Sequence, residues 1–172
     1  MTSPSWEGPD LDPVDAERYL PHLIAVCKKW EINTRERLSA FLGQTGTESG
    51  SFKWWREFSR GEGKPFGYWY GRGPMQLTWE GNYQRFQNDT GSRAHDNPDI
   101  VADDAAVGFD SAGWFWRRGN GDLNEFADQA TWPSFYEITG RLWGQSGPFH
   151  ERDARYDHAW NVLPADLDLS AA

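Results

Sequence analysis

The sequence has few cysteines, an excess of acidic over basic residues and no long apolar run, and each shortage excludes a class of protein. Cys27 is the single cysteine, so an intrachain disulfide and a cysteine-rich zinc site are excluded. Lys and Arg number 17 against 26 Asp and Glu, a formal net charge of −9. That balance argues against a nucleic-acid partner, because phosphates require a basic face. No run approaches the roughly 20 apolar residues that span a bilayer, so we expect no membrane insertion.

The N-terminus MTSPSWEGPD lacks a basic start and an apolar stretch, so we predict no signal peptide. At 172 residues the chain has the length of one domain. We predict an irregular arm over residues 1–11, a domain over 12–163 and a flexible tail over 164–172. The four histidines are scattered without ligand spacing. We therefore expect a monomer with no metal and no cofactor.

Aromatic residues are abundant, with 11 Trp, 10 Phe and 6 Tyr. Large flat rings pack cores and also stack on sugar faces. We expect most tryptophans, including Trp30, Trp114 and Trp116, to be buried in the core. Those that flank the motifs described below could instead face a ligand. A neutral polymer fits this composition better than a polyanion does.

Helix signals cover most of the chain, so the predicted fold class is mainly α. Asp12 with Pro13 can begin a first helix, although Pro21 could begin it instead. Thr34 and Thr78 can cap further helices. Three later helices are predicted to begin at Asp103 or Asp104, at Thr131 and near Phe149. Between residues 51 and 70 the periodicity fades and glycines mark a long loop, which is often functional in a compact domain.

Glu48 lies at the edge of an apolar helix face formed by Leu38, Phe41, Leu42 and Thr45 at i, i+3, i+4 and i+7. A carboxyl group on such a rim is partly desolvated, which raises its pKa toward the value that a general acid needs. The alternative is a solvated glutamate at a fraying helix end that Gly50 stops. The spacing alone does not decide between these two interpretations.

Glu57 precedes the glycine-rich loop, with Glu62 as a less regular candidate carboxylate inside it. The segment YGRGPMQLT follows. It is not a dinucleotide-binding motif, because Pro74 stands where a phosphate-binding backbone must be flexible. We expect an extended segment that presents Gln76 and Thr78.

Five blocks of sequence, taken together, resemble glycoside hydrolase family 19 in its short bacterial and phage endolysin form. The blocks are AFLGQTGTESGSF, YGRGPMQLTWEGNY, NPDIVADDAAVGFDSAGWFW, EITGRLWG and ERDARYDHAWNVL, within residues 38–163. The resemblance implies a lysozyme-like fold, a single helical domain with a substrate cleft. It implies inverting hydrolysis of a β-1,4 bond between N-acetylated sugars, without a metal.

The resemblance also implies roles for individual residues. Glu48 is similar to the family's general acid, and Glu57, nine positions later (57 − 48), to its general base. Thr78 matches the residue that helps to hold the attacking water. The residues that match or flank substrate-contacting positions are Gln76, Asn82, Tyr70, Trp143 and Arg152. The same residues allow simpler roles: Thr78 as a helix cap, Gln76 and Asn82 as loop ties, and Arg152 in an ion pair.

Three positions depart from the family pattern. Thr47 replaces the usual histidine before the acid, Trp143 replaces an amide, and Gly81 replaces an aromatic residue of plant members. The first expected substrate is peptidoglycan, cleaved by an endolysin catalytic domain that is made in a host cytoplasm and acts on the wall after release. Chitin is the second. A glycan-binding module without turnover is the third interpretation.

Overall fold

The computed structural model describes residues 11–170, and within them the chain is mainly helical. Eight helices follow one another: α1 Pro13–Lys29, α2 Arg35–Glu48, α3 Glu80–Thr90, α4 Ile100–Asp103, α5 Ala105–Trp114, α6 Asn124–Ala127, α7 Trp132–Trp143 and α8 His150–Val162. A 3₁₀ turn covers Gly67–Trp69, and a π-helical turn, Phe115–Gly119, continues α5. The predicted mainly α class is confirmed. The arm predicted over residues 1–11 lies almost wholly outside the described residues.

Polar N-caps begin most of the long helices where the sequence predicts them. The Asp12 side chain accepts a hydrogen bond from the Val14 N–H, so α1 begins at Pro13, and Pro21 lies inside the helix rather than at its start. Thr34 accepts from the Arg37 N–H at the start of α2. Asp104, not Asp103, caps α5. Each cap satisfies N–H groups that have no partner within the helix.

Thr78 is not a helix cap. Its Oγ1 donates to the carbonyl of Gln76 at 2.7 Å, and α3 begins two residues later, with Trp79 in the N-cap position and no side-chain cap. The N–H groups of Asn82 and Tyr83 at the start of α3 donate to the Trp79 carbonyl and not to the Thr78 hydroxyl. The sequence signal for a cap was therefore wrong here, although a helix does follow.

Helix α2 lies in the middle of the fold, packed along α8 and against α6, while α1 packs on α5. Glycine allows the close approaches: a Cβ at Gly43 of α2 would lie 3.1 Å from the Cβ of Tyr156 on α8. Trp114 and Trp116 are fully buried in the core, and Trp30 nearly so, as predicted. Cys27 is also buried, which raises the pKa of its thiol to about 12.

The chain between α2 and α3 forms an irregular layer over one end of α2. Arg56 and Arg72 form an isolated antiparallel bridge, and Arg72 forms another with Leu77, so three short segments lie side by side. At the other end of the chain, the Leu169 N–H donates to the Asn33 carbonyl at 2.9 Å. This contact ties part of the segment predicted to be a flexible tail to the start of α2.

Candidate active site

Glu48 is the last residue of α2, and its carboxylate meets the guanidinium group of Arg152 from α8. Arg152 Nη2 donates to Glu48 Oε1 at 2.5 Å. The Arg152 side chain is only 7% exposed and that of Glu48 is 22% exposed. Because α2 and α8 pack lengthwise, two residues 104 positions apart meet at the end of the pair. Arg152 thus lies beside the predicted acid.

A buried polar chain continues behind this ion pair. Arg152 Nη1 donates to Gln44 Oε1 at 2.6 Å, and Gln44 Nε2 donates to Thr139 Oγ1 at 2.7 Å. Thr139 in turn donates to the carbonyl of Phe135. Sequence reasoning missed Gln44 and Thr139. The available signal was that Gln44 lies one helical turn before Glu48 and therefore on the same face of α2.

The Glu48 carboxylate opens into a cleft with a volume of about 630 Å³. Its walls come from the end of α2, the segment before α3, the π-helical turn and the end of α7. The lining residues are Glu48, Phe66, Met75, Gln76, Thr78, Trp79, Asn82, Phe115, Asn120, Leu142 and Trp143. Glu48 is the only carboxylate among the described residues that line it. The structure thus brings five of the predicted site residues into one cavity.

Gln76, Thr78 and Asn82 tie the cleft wall together with their hydrogen-bond donors. Asn82 Nδ2 donates to the Thr78 carbonyl at 2.8 Å, and Gln76 Nε2 donates to the Gly73 carbonyl at 2.9 Å. The Thr78 hydroxyl proton is directed at the Gln76 carbonyl. The hydroxyl oxygen keeps its lone pairs, so it can accept a hydrogen bond from a water molecule in the cleft. Loop tie and ligand contact are compatible roles for these three residues.

Trp143 lies at the last position of α7 with its side chain half exposed. The Phe149 ring meets it edge-on, with 4.9 Å between ring centroids. The Arg152 guanidinium carbon lies 5.7 Å from its ring centroid. The indole therefore lies against the Arg152 guanidinium group, and the rest of its surface lines the cleft.

Glu57 is not in this cleft. It lines a neighbouring cavity of about 400 Å³ together with Trp54, Trp55 and Arg56. Its Oε1 accepts from the Ser59 hydroxyl at 2.6 Å and its Oε2 from the Gly71 N–H at 3.3 Å. The half-buried carboxylate thus already has two hydrogen-bond donors.

Gly71 separates the Glu57 carboxylate from the cleft wall. Its N–H faces Glu57, whereas a Cβ built on it would lie 2.7 Å from Gln76 Oε1. The Glu57 N–H also donates to the Gly71 carbonyl at 2.9 Å. The Gly71 backbone therefore lies between the Glu57 carboxylate and the Gln76 side chain of the cleft wall.

Tyr70, predicted to contact substrate, is buried, with its side chain in a different set of contacts. The fully buried Arg72 guanidinium lies 3.6 Å from the Tyr70 ring centroid, and Arg72 Nε donates to Asp99 at 2.8 Å. Tyr83 donates its hydroxyl to the Tyr70 carbonyl, and burial raises the pKa of that phenol well above its usual range. Tyr70 therefore supports the loop from behind, and its ring does not line the cleft.

Thr47 forms a local contact only. Its Oγ1 donates to the Gly43 carbonyl at 2.9 Å, one turn back along α2. A threonine hydroxyl in a helix commonly makes this bond. The hydroxyl group of the residue before Glu48 thus finds its hydrogen-bond acceptor within α2 and makes no contact with the cleft.

No group of three or more His, Cys, Asp and Glu side chains within residues 11–170 is arranged to hold a metal ion. In the same residues no helix is long and apolar enough to cross a membrane.

Comparison with known proteins identifies the family. The family model described as "Chitinase class I", of glycoside hydrolase family 19, matches residues 23–147. Chitinase 8 of Oryza sativa subsp. japonica is 39% identical over 100 residues, which cover 51% of this chain and 37% of the relative. The acidic 27 kDa endochitinase of Solanum lycopersicum is 40% identical over 105 residues, covering 56% and 42%. The chain spans about two fifths of the length of these relatives.

Two solved structures share the fold. Chitinase C from Streptomyces griseus superposes with a TM-score of 0.71 at 20% identity, covering 94% of this chain and 76% of that one. The family GH19, class IV chitinase from Zea mays gives a TM-score of 0.57 at 21% identity, covering 92% and 86%. The predicted family and the predicted lysozyme-like helical fold are therefore confirmed.

The polar chain behind Glu48 gives a testable expectation. Arg152→Lys keeps a positive charge but loses the planar guanidinium group, whose two terminal nitrogens donate to Gln44 and to Glu48. We expect the free energy of unfolding to fall by about 1–3 kcal/mol and kcat on a glycan substrate to fall by roughly tenfold or more. Urea unfolding and reducing-end assays measure the two effects.

Arg155→Lys is the matched control. Arg155 lies three residues further along α8, is 10% exposed and bonds Ser51 and Glu151 instead of the cleft. This substitution should also destabilise the fold while leaving kcat near normal. Equal kcat losses in the two variants would show that the Arg152 effect is only a folding effect.

Proposed function

Because the chain belongs to the class I chitinase family of glycoside hydrolases, we propose that it hydrolyses β-1,4 bonds of an N-acetylated glycan with inversion at the anomeric carbon. The observation that carries the proposal is the placement of Glu48 in an open cleft, with Arg152 against its carboxylate and the Thr78 hydroxyl in the cleft wall. A cleft with one carboxylate, several amides and half-exposed indoles suits a neutral polysaccharide.

In this proposal the Glu48 carboxylate takes up a proton from solvent in the substrate complex and gives it to the glycosidic oxygen as the bond to the anomeric carbon breaks. The carboxylate that remains carries a negative charge next to Arg152, which stabilises it at no further cost in reorganisation. The Glu48 carboxylate that forms in the transition state is therefore already paired with the Arg152 guanidinium group. Gln44 and Thr139 hold the guanidinium in position for this task.

Glu57 is the proposed general base, because its carboxylate bonds the Gly71 N–H next to the Gln76 side chain of the cleft wall. An inverting enzyme needs a second carboxylate on the far face of the sugar, about 6.5–9.5 Å from the first, with a water between them. Catalytic geometry often tightens only in the substrate complex.

The attacking water has two proposed partners. Thr78 accepts one of its protons in a hydrogen bond, and Glu57 removes the other as the oxygen attacks. The new C–O bond forms on the face opposite the leaving oxygen, so a β-linked substrate yields an α-configured product. Atoms balance with one water consumed for each bond broken.

Chitin, a polymer of N-acetylglucosamine, is the first candidate substrate, because the relatives are named chitinases. Peptidoglycan is the second, with the chain acting as an endolysin catalytic domain. A specific surface favours it: Trp54 and Phe58, both exposed and with rings 5.2 Å apart, lie beside Lys53 and Arg60 at the Glu57 cavity. Cations there could meet carboxylates of a cell-wall glycan.

Mass spectrometry of digests of purified peptidoglycan and of chitin tests both candidates. Soluble N-acetylglucosamine oligomers from chitin alone support the first, and cleaved glycan strands from peptidoglycan alone support the second. Binding to either polymer without any new reducing end would mean a glycan-binding module and would overturn the proposed hydrolysis.

A further inference from the structure

Basic residues gather in one segment of an otherwise acidic chain. Residues 53–72 contain five Lys and Arg against two Glu, a net charge of +3 (5 − 2). The rest of the chain contains 12 (17 − 5) basic and 24 (26 − 2) acidic residues, a net charge of −12. An anionic group that approaches the molecule is therefore attracted most strongly near this segment.

Two of these cations line the cavity beside Glu57 and have no counter-charge. Lys53 and Arg60 are both exposed there, in a cavity of about 400 Å³. Within residues 11–170 neither side chain has an ion-pair or hydrogen-bond partner. Arg56, the third cation of the cavity, is already paired with Asp103 at 2.5 Å. The Glu57 carboxylate already accepts two hydrogen bonds. Two positive charges thus remain available to a ligand.

Two aromatic rings line the same cavity as the unpaired cations. Trp54 is 52% exposed and Phe58 is 81% exposed, with their ring centroids 5.2 Å apart. A Cβ on Gly50 would lie 2.4 Å from Trp54 Cδ1, so one edge of the indole packs on the backbone just after α2. Contiguous exposed apolar surface rimmed by charge is typical of a binding site. The combination suits a ligand with both carboxylates and apolar groups.

This surface adjoins the cleft without being part of it. Gln76, which lines the cleft, donates from Nε2 to the Trp54 carbonyl at 3.3 Å. The Gly71 backbone lies between Gln76 and Glu57. A branch of a glycan that occupies the cleft can therefore reach the surface. The surface is a concave cavity, which a flat lipid bilayer would not fill.

We propose that the surface formed by Lys53, Trp54, Phe58 and Arg60 binds an acidic peptide that branches from the glycan, as the stem peptides of peptidoglycan do. Carboxylates of the peptide meet the two cations, and its alanine methyl groups lie on the two rings. In a peptide-bearing strand the lactyl carboxyl group of the sugar is in amide linkage, so the free carboxylates belong to the peptide. The proposal rests on the proposed glycan hydrolysis and adds a recognition surface for its second candidate substrate.

The double substitution Lys53→Gln, Arg60→Gln tests the surface in the Glu48→Gln protein, which does not consume its ligand. One ligand is the alternating tetrasaccharide of the peptidoglycan strand with its stem peptides. The other is the same tetrasaccharide after an amidase has removed the peptides, which leaves a carboxylate on the sugar. Titration calorimetry measures the Kd of each.

We expect the Kd for the peptide-bearing ligand to weaken about fivefold, the size of effect that two exposed ion pairs produce. The Kd for the peptide-free ligand should change less than twofold. The difference between the proteins should disappear in 1 M NaCl, where the Debye length is about 3 Å. The thermal unfolding midpoint should be unchanged, because both side chains are exposed and unpaired.

Arg93→Gln is the matched control for each single substitution, because Arg93 is an exposed cation that lines neither the cleft nor the Glu57 cavity. It should bind both ligands normally. An Arg93→Gln protein that weakens the peptide-bearing ligand as much as Arg60→Gln would show that net charge alone is responsible and would overturn the proposal.

The remaining outcomes separate the peptide site from the proposed hydrolysis. Equal weakening with both ligands would assign the cations to sugar-borne carboxylates and overturn the peptide site. Unchanged Kd values would overturn it too and leave the hydrolysis intact. Loss of binding to phosphatidylglycerol vesicles, with both tetrasaccharides bound normally, would indicate a membrane-binding surface instead. A wild-type protein that binds the peptides through these cations but releases no reducing ends from any polymer would overturn the hydrolysis and leave the peptide site intact.

Discussion

Glu48→Gln should lower kcat by between about 10² and 10⁴, the contribution expected of a general acid. Glutamine has the size of glutamate and its amide oxygen can still accept from Arg152, so the buried chain through Gln44 is preserved. The amide has no proton to give to the glycosidic oxygen at any accessible pH. The loss should therefore appear in kcat, with substrate binding nearly unchanged. The free energy of unfolding should fall by about 1–3 kcal/mol, because the nearly buried Arg152 guanidinium loses its counter-charge.

Glu62→Gln is the control for Glu48→Gln, because Glu62 is an exposed glutamate in the loop and does not line the cleft. It should retain the wild-type rate. Reducing-end release from chitin and peptidoglycan, with urea unfolding of each variant, gives the comparison. Retained hydrolysis by a folded Glu48→Gln protein would rule out Glu48 as the acid.

Glu57→Gln should have an effect of similar size, again about 10²- to 10⁴-fold in kcat. The glutamine oxygen can accept from the Gly71 N–H and its NH2 group can donate to the Ser59 hydroxyl oxygen, so the loop remains tied, but the amide cannot remove a proton from water. Within residues 11–170, Glu48 is the only carboxylate that lines the cleft. Any other candidate for the general base would therefore, like Glu57, lie outside that lining. The Glu62→Gln variant serves as the control here too, because Glu62 was the alternative candidate in the sequence.

A normal rate for Glu57→Gln together with a dead Glu62→Gln would assign the base to Glu62. Normal rates for both, with Glu48→Gln inactive, would leave a single-carboxylate mechanism. The substrate's own acetamide group would then have to attack the anomeric carbon. The two-carboxylate account would be wrong in that case.

Local signals made most of the helical fold predictable. Asp12, Thr34, Asp104 and Thr131 begin helices because a short polar side chain can accept from N–H groups two or three residues ahead. These contacts depend only on neighbouring residues, so the sequence contains them. Thr78 shows the limit of such signals, since its hydroxyl bonds backward to Gln76. The sequence alone does not show whether a threonine hydroxyl donates to a carbonyl before it or accepts from an N–H group after it.

The site was predictable in its chemistry but not in its assembly. Glu48 at the rim of the apolar face of α2 was found from periodicity, and Arg152 only as a weak match to the family pattern. Their contact depends on how α2 packs against α8, which glycine at position 43 permits and no local pattern shows. The burial of Tyr70 under Arg72 and the separation of Glu57 from the cleft depend on the same long-range packing.

The anomeric configuration of the first product tests the central claim, that Glu48 and Glu57 act on opposite faces of the sugar with a water between them. Time-resolved proton NMR of a digest, begun within seconds of mixing and followed before mutarotation, reports that configuration. The two-carboxylate mechanism predicts that the α-anomer of the new reducing end accumulates first and that Glu57→Gln produces neither anomer at a useful rate. Initial accumulation of the β-anomer would contradict it.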